Sequence, residues 1–250
     1  IKWETTRRMN VGFDSRLFNN RLSLGFRYFK STTSDLLAMQ SLGYLSGLDN
    51  NWSNGGKLEN QGFDASASIR VLDLKDWHME IGASAGHYKN KITELPDGKK
   101  YSDNSYYGAT IRSQVGDAAN LFYGYKTEGV FATTEEAQAA GLYTLGSNGI
   151  TKNYFKAGDM KFVDSNNDHC IDEKDRVVIG DPNPDLYGNI FFSLAYKRLR
   201  LDANFNYVLG NDVYNYMRSQ LEGGSRFLNQ TTNMLARWQA EGQHTSVPKP

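Results

Sequence analysis

Cysteine is nearly missing from this chain, and Cys170 alone cannot close an internal disulfide. An excess of one charge is missing too, because 28 Lys and Arg balance 28 Asp and Glu. A dedicated nucleic-acid binder carries a basic surplus, so nucleic acid is not expected as a partner. Long apolar runs are also absent. Runs such as Ile190-Phe191-Phe192 fall far short of the ~20 residues that a membrane-spanning helix requires. The first residues, Ile1-Lys2-Trp3-Glu4, hold neither a charged leader nor an apolar stretch, so no signal peptide is read there. Ser246-Val247-Pro248-Lys249-Pro250 reads like an opened loop. The expectation is a fragment of a longer chain, or a chain that has lost its leader.

Motifs of bond chemistry are lacking as well. No G-x-S-x-G, HExxH, P-loop or paired CxxC occurs. His78, His87, His169 and His244 are scattered without ligand spacing, and Glu135 beside Glu136 reads as two solvated carboxylates. The chain is not expected to be an enzyme.

Alternation is what the sequence does have. Met9, Val11 and Phe13 oppose Arg8, Asn10, Gly12 and Asp14. Leu22, Leu24, Phe26 and Tyr28 oppose Ser23, Gly25 and Arg27. The same period of two runs through 62–71, 77–86 and 199–207. These stretches approach the ~9–11 residues of a tilted membrane strand and exceed the ~5–6 of a common soluble one. Their apolar faces carry no central charge, as a lipid-facing band requires. The mean hydropathy of −0.59 is compatible with this, since only every second residue is apolar. A two-sheet sandwich with apolar faces inward alternates in the same way. The 15 Tyr, 13 Phe and 4 Trp serve either a sandwich core or two membrane-interface girdles.

Connections add asymmetry. Phe18-Asn19-Asn20-Arg21 and Lys197-Arg198 are short turns, whereas 31–56, 89–108 and 209–250 read as long loops. Outer-membrane barrels place short turns on one side and long loops outside. The fold expected is all-β: an antiparallel transmembrane β-barrel with long extracellular loops. One short loop helix is predicted, with Thr133 and Glu136 as a capping box and Gly141 as its stop.

One segment resembles a calcium loop. Asp164, Asn166, Asp168, Asp172 and Asp175 offer oxygens in that register, with the Cys170 carbonyl between them. His169 stands where glycine makes the sharp turn, and Asp175 stands where Glu binds through both oxygens. The other reading is an Asx-rich turn that hydrogen-bonds its own backbone. No cofactor is required; calcium is the one this spacing admits.

Five stretches, in order, resemble the C-terminal half of the barrel in the SusC/RagA family of TonB-dependent outer-membrane transporters. They are Lys2–Thr6 with Asn10–Asp14 and Phe18–Leu22; Leu58–Asp64; Phe122–Phe131; Gly158–Phe162 through the Asp-rich loop to Ile179–Pro182; and Gly210–Asn215. The family's loop reads Asp-x-Asn-Gly-Asp-Gly-x-Ile-Asp. Here Asn167 and His169 replace both glycines, while Ile171 and Asp172 keep the pattern.

The resemblance implies part of a 22-stranded barrel with an N-terminal plug, in the outer membrane of a Gram-negative cell. Residues 1–250 are then one piece of a single barrel domain, without the plug domain and closing strands. It implies TonB-dependent import of an oligosaccharide or peptide, with a SusD-like lipoprotein as lid, the TonB complex as energy source and outer-membrane lipid around the wall. Arg8, Asp14, Arg27, Arg70, Asp202 and Asn204 would line the passage, with Tyr44, Trp52 and Tyr106 near its mouth. Of these, Arg27, Arg70, Tyr44, Trp52 and Tyr106 are the candidate substrate contacts. The alternative is a secreted, soluble β-sandwich carbohydrate-binding module with a structural calcium.

Overall fold

The computed structural model describes residues 1–41, 47, 50–224 and 228–249. The chain opens with four long strands: β1 (Thr5–Leu17), β2 (Leu22–Ser41), β3 (Asn50–Asp73) and β4 (Trp77–Glu94). Shorter elements follow: β5 (Tyr101–Tyr106), β6 (Ala109–Gln114), β7 (Leu121–Tyr125), β8 (Thr127–Val130) and helix α1 (Thr134–Ala140). Then come β9 (Tyr143–Leu145), β10 (Lys152–Tyr154), β11 (Met160–Phe162) and β12 (Arg176–Gly180). Long strands return as β13 (Leu186–Tyr196) and β14 (Leu199–Leu209), and helix α2 (Tyr216–Leu221) comes after them. Two compact units result. One is Ile1–Asn104 with Arg112–Leu121 and Asp181–Asp212; the other is Ser105–Ile111 with Phe122–Gly180 and Val213–Pro250.

The first unit is built on one sheet in the order β1-β2-β3-β4-β13-β14. Every neighbour is antiparallel. Successive side chains alternate between faces, so register aligns like with like over most of the sheet. Leu24, Ala67, Ala83, Ile190 and Phe205 form one row. The adjacent row on the opposite face is Asp14, Gly25, Ser66, Ser84, Asn189 and Asn206. One face is thus apolar and the other polar, as the alternation requires.

The apolar face is open. Phe205 is 65% exposed, and Val11, Phe13 and Leu201 are similar. The sandwich expectation is corrected here, since a sandwich buries this face against a second sheet. Aromatic rings mark both ends of the face. Trp77 and Tyr196 lie 4.3 Å apart at one end. Phe13, Phe26, Phe63 and His87 form a ladder at the other, with centroids 5.8–6.2 Å apart. From Trp77 to His87 the strand runs ~33 Å, or ~25 Å of height at a ~40° tilt. That matches the apolar band of an outer-membrane barrel.

All short connections share one end of the sheet. Phe18, Asn19 and Asn20 take left-handed backbone between β1 and β2, and Arg21 N donates to Phe18 O at 3.1 Å. Residues 74–76 join β3 to β4, and left-handed Lys197 turns β13 into β14. The chain makes its long excursions from the opposite end, after β2, β4 and β14.

Two expectations need correction. The stretch 31–56 is largely strand, because β2 continues to Ser41 and β3 begins at Asn50. Likewise β4 runs on to Glu94 within the expected loop 89–108. Alternation reveals a strand only where its two faces meet different media. These extensions mix polar stretches with apolar residues that do not alternate, such as the run Leu36–Met39, yet the ladder still satisfies their backbone. A second helix, α2, also escapes the pattern. It is six residues long with no buried residue, held by an Asn215 cap and an Arg218–Glu222 pair at 2.7 Å. Helix α1 forms as expected, with Thr133 capping Glu136 N and Gly141 left-handed at its end.

The second unit has an ordinary interior. Phe131, Ala137, Leu142 and Ile171 are buried together, with Tyr125, Phe155 and Phe162 packed against them. Three short antiparallel pairs surround this core: β7 with β12, β8 with β11 and β9 with β10.

Candidate functional site

The polar face of the first unit's sheet gathers charge around small residues. Gly12, Arg27, Asp64, Gly86 and Tyr187 share one row, which neighbours the Asp14 row. Arg27 Nη2 lies 3.5 Å from Asp14 Oδ2, and both side chains are mostly exposed. Tyr187 OH donates to Asp64 Oδ1 at 3.1 Å. Glycine makes room for these groups. A Cβ on Gly86 would lie 2.5 Å from the Tyr187 ring, and one on Gly12 would lie 2.8 Å from Arg27 Cγ. Asp14, Arg27, Asp64, Ser66, Ser84 and Tyr187 line an open cavity of about 360 Å³.

A second hollow of about 560 Å³ adjoins it, lined by Arg16, Ser23, Ser68, Asn189 and Phe191 among others. The Asn189 amide donates to Asn206 at 3.1 Å and also to Asn204. A third, of about 330 Å³, lies toward the short turns between Arg70, Asp73, His78, Glu80 and Arg200. There His78 Nδ1 meets Asp73 Oδ1 at 2.9 Å, and Arg200 Nε meets Asp202 at 2.8 Å. Exposed ion pairs of this kind add little stability. Their consequence is a hydrated wall rich in hydrogen-bonding groups.

The expected site residues fall in separate places. Arg27 and Arg70 both face the polar side but line different hollows. Arg8 points to that side as well, donating to Asn10 Oδ1 and lying over the Phe29 ring. Trp52 is half exposed on the extension of β3. Tyr106 is exposed at the end of β5 and belongs to the second unit. Tyr44 lies outside the described residues. Tyr187, Ser84 and Asn189 were missed as site residues. Polar-face aromatics at Tyr187 and Phe191 blur the alternation of β13, so its faces are hard to read in one dimension.

The Asp-rich loop closes on itself in the second unit. Asp164 accepts from Asp168 N at 3.3 Å and His169 N at 2.7 Å. Asn166 Oδ1 accepts from Asp168 N, and Asp168 Oδ1 from Cys170 N. Asp172 caps a short 3-10 turn by accepting from Lys174 N. Asp175 is fully buried and accepts from Ser165 N at 2.9 Å and Asp172 N at 2.8 Å. Burial works to raise the Asp164 carboxyl, but the amides of His169, Asp168 and Asn167 outweigh it and hold it below the usual carboxylate range. Burial pushes the Cys170 thiol up. Asn167 (φ 60) and His169 (φ 63) adopt the left-handed turns that glycine would take without strain. Among the described residues, no three His, Cys, Asp or Glu side chains gather as a metal-holding group.

With this geometry in view, the chain's similarities are specific. Residues 1–215 match the family model "TonB dependent receptor-like, beta-barrel". The whole chain is 32% identical over 255 residues to TonB-dependent receptor P3 of Formosa agariphila, covering 24% of that protein. It is 26% identical to TonB-dependent receptor SusC of Bacteroides thetaiotaomicron over 86% of the chain and 20% of that protein. The chain thus spans about a quarter of the length of the curated relatives it matches. Its fold superposes on the RagAB peptide transporter with a TM-score of 0.75 at 25% identity, covering all of this chain and 26% of that one. The chain therefore belongs to the TonB-dependent receptor β-barrel family, in its SusC/RagA branch.

Proposed function

We propose that this chain is wall and loop of an importer that carries an oligosaccharide or peptide across the outer membrane, driven through TonB. The observation that carries the reading is the two-faced sheet. One face is apolar, uncharged at mid-height and edged with aromatics; the other is lined by charge, amides and hydroxyls. A wall between lipid and a watery passage needs both. Residues 1–250 form one stretch of a single barrel in this reading, with the plug and the other strands supplied by sequence outside it.

The mechanism involves no bond chemistry. Aromatics such as Trp52, on the extension of β3, offer a stacking surface to substrate held beneath a SusD-like lipoprotein lid. It then passes along a wall where Arg27 and Arg70 offer charge and fork-shaped hydrogen bonding. Arg27 already faces Asp14 as an exposed ion pair at 3.5 Å, so an incoming carboxylate or hydroxyl exchanges one weakly held partner for another.

Uptake tests the proposal. Cells with and without the gene receive fluorescent oligosaccharide and peptide pools, with the TonB system intact or inactivated. Loss of uptake of one class on deletion, matched by the same loss without TonB, is expected. Unchanged uptake of both pools would defeat the reading. Fractionation adds a second check: the protein should appear in outer membranes with heat-modifiable gel mobility.

A further inference from the structure

We infer that the outward face of β1–β4 holds the phosphate of an outer-leaflet lipid, through Arg7, Lys30, Lys89 and Lys91. The inference rests on the proposed barrel, in which the apolar face meets hydrocarbon.

Register places these four residues without ambiguity. Val11, Tyr28, Phe63 and His87 form the row at the aromatic end of the apolar face. Two residues further toward the long connections, the same face carries Met9, Lys30, Gln61 and Lys89. Two further again come Arg7, Thr32, Glu59 and Lys91. No bulge interrupts the ladders between these rows, so all three point the same way. The face therefore grades from apolar, through aromatic, to basic over a few residues.

That order is the order of a bilayer leaflet: hydrocarbon, interface, headgroup. Four basic groups stand against one carboxylate, Glu59. All four are exposed, and none has an ion-pair partner among the described residues. Strands lie ~4.8 Å apart, so Lys30 and Lys89 rise from backbones ~10 Å apart. Lysine stems are long and flexible enough to lean along the apolar surface and bring both ammonium groups to one phosphate. The long connections leave from this same end of the sheet, and such loops face outward in outer-membrane barrels. The layer concerned is thus the outer leaflet. A protein partner or a nucleic acid would give no reason for the basic rows to abut the aromatic ladder.

The test uses the full-length receptor, purified in detergent and stripped of lipid by exchange. It is titrated with monophosphorylated lipid A and, separately, with the same lipid after phosphatase treatment, and adducts are counted by native mass spectrometry. Each basic side chain near an anionic membrane surface contributes about fivefold to affinity. K30Q/K89Q should therefore weaken binding of the phosphorylated lipid about 30-fold, whereas K30R/K89R should retain it. Inorganic phosphate should not displace the lipid. Equal binding of the two lipids by the unaltered receptor would overturn the inference, as would indifference to K30Q/K89Q or displacement by inorganic phosphate. If K30Q/K89Q fails to fold, as judged by loss of heat-modifiable mobility, the comparison of the two lipids on the unaltered receptor still decides. A receptor absent from the outer membrane would defeat the barrel itself, which is a different outcome from loss of lipid phosphate alone.

Discussion

Phe205 and Phe131 carry the same side chain in opposite settings. Phe205 stands 65% exposed on the sheet of the first unit, while Phe131 is wholly enclosed in the second. The first unit turns its apolar residues away from its own backbone layer and its polar residues toward a common concourse of hollows. The second does what a water-soluble fold does and closes a small apolar interior with loops, short strands and one helix. The hydrophobic effect acts in both. What differs is what covers the apolar surface: lipid for one in the proposed barrel, the protein's own chain for the other.

The sharpest way to break this comparison is to truncate Phe131. Phe131→Ala removes a close-packed ring and leaves a void, so it should cost ~3–5 kcal/mol. Protease nicking between residues 126 and 180 should then appear at lower temperature, with heat-modifiable barrel mobility kept. Loss of the barrel as well would mean that the two units do not fold on separate terms.

Charge tests the sheet by parity. Phe205→Arg places a guanidinium on the apolar row beside Ile190 and should cost ~2–4 kcal/mol of insertion stability. Asn204→Arg, one residue earlier on the polar face, should stay within ~0.5 kcal/mol. Refolding into lipid vesicles under urea measures both. Equal costs would refute the two-faced assignment.

A smaller effect is expected in the Asp-rich loop. His169 holds a left-handed conformation that costs a non-glycine residue ~1–2 kcal/mol. His169→Gly should recover ~1 kcal/mol after the added entropy of the unfolded glycine is subtracted. Slower hydrogen exchange at Cys170 N and Lys174 N would register it. Faster exchange would show that the His169 ring, 3.3 Å from Ala140 O through Nδ1, matters more than the strain.

The smallest effect is with pH. The folded Asp164 carboxyl titrates below its unfolded value of about 3.9, held there against burial by the amides it accepts. Its contribution is therefore complete above that unfolded value and is lost as pH falls through the lower folded one. Amide protection at His169 should be flat from pH 7 to 5 and fall only in acid. A decline already present between pH 7 and 5 would show that Asp164 does not control this amide.

Legibility followed the same division. Alternation in 8–14, 62–71, 77–86 and 199–207 lies in strands that separate lipid-like from polar surroundings, and each was readable as strand and as face. The extensions of β2 and β3 between 31 and 56 were not, because polar stretches and the consecutive apolar run Leu36–Met39 leave no period of two to detect. The second unit's core was illegible for another reason. Phe131, Leu142 and Ile171 lie in connections between short elements, where no periodicity exists, and only folding brings them together. Asp175 shows the limit for sites: its spacing suggested a cation ligand, and its enclosed carboxylate accepts from Ser165 and Asp172 amides.

The sequence by itself determined which residues share a face in the alternating stretches, where the turns at 18–21 and 197–198 fall and that no apolar run is long enough for a membrane-spanning helix, because those follow from local periodicity and turn chemistry. Tertiary structure alone decided who meets whom on the polar face. Tyr187 reaches Asp64 only because β13 returns to pair with β4 after an intervening stretch that includes Phe122–Gly180 of the second unit. That pairing is fixed by two ladders of backbone hydrogen bonds and by ring-over-glycine packing at Gly82 and Gly86, contacts whose partners are far apart in the chain and carry no local signature.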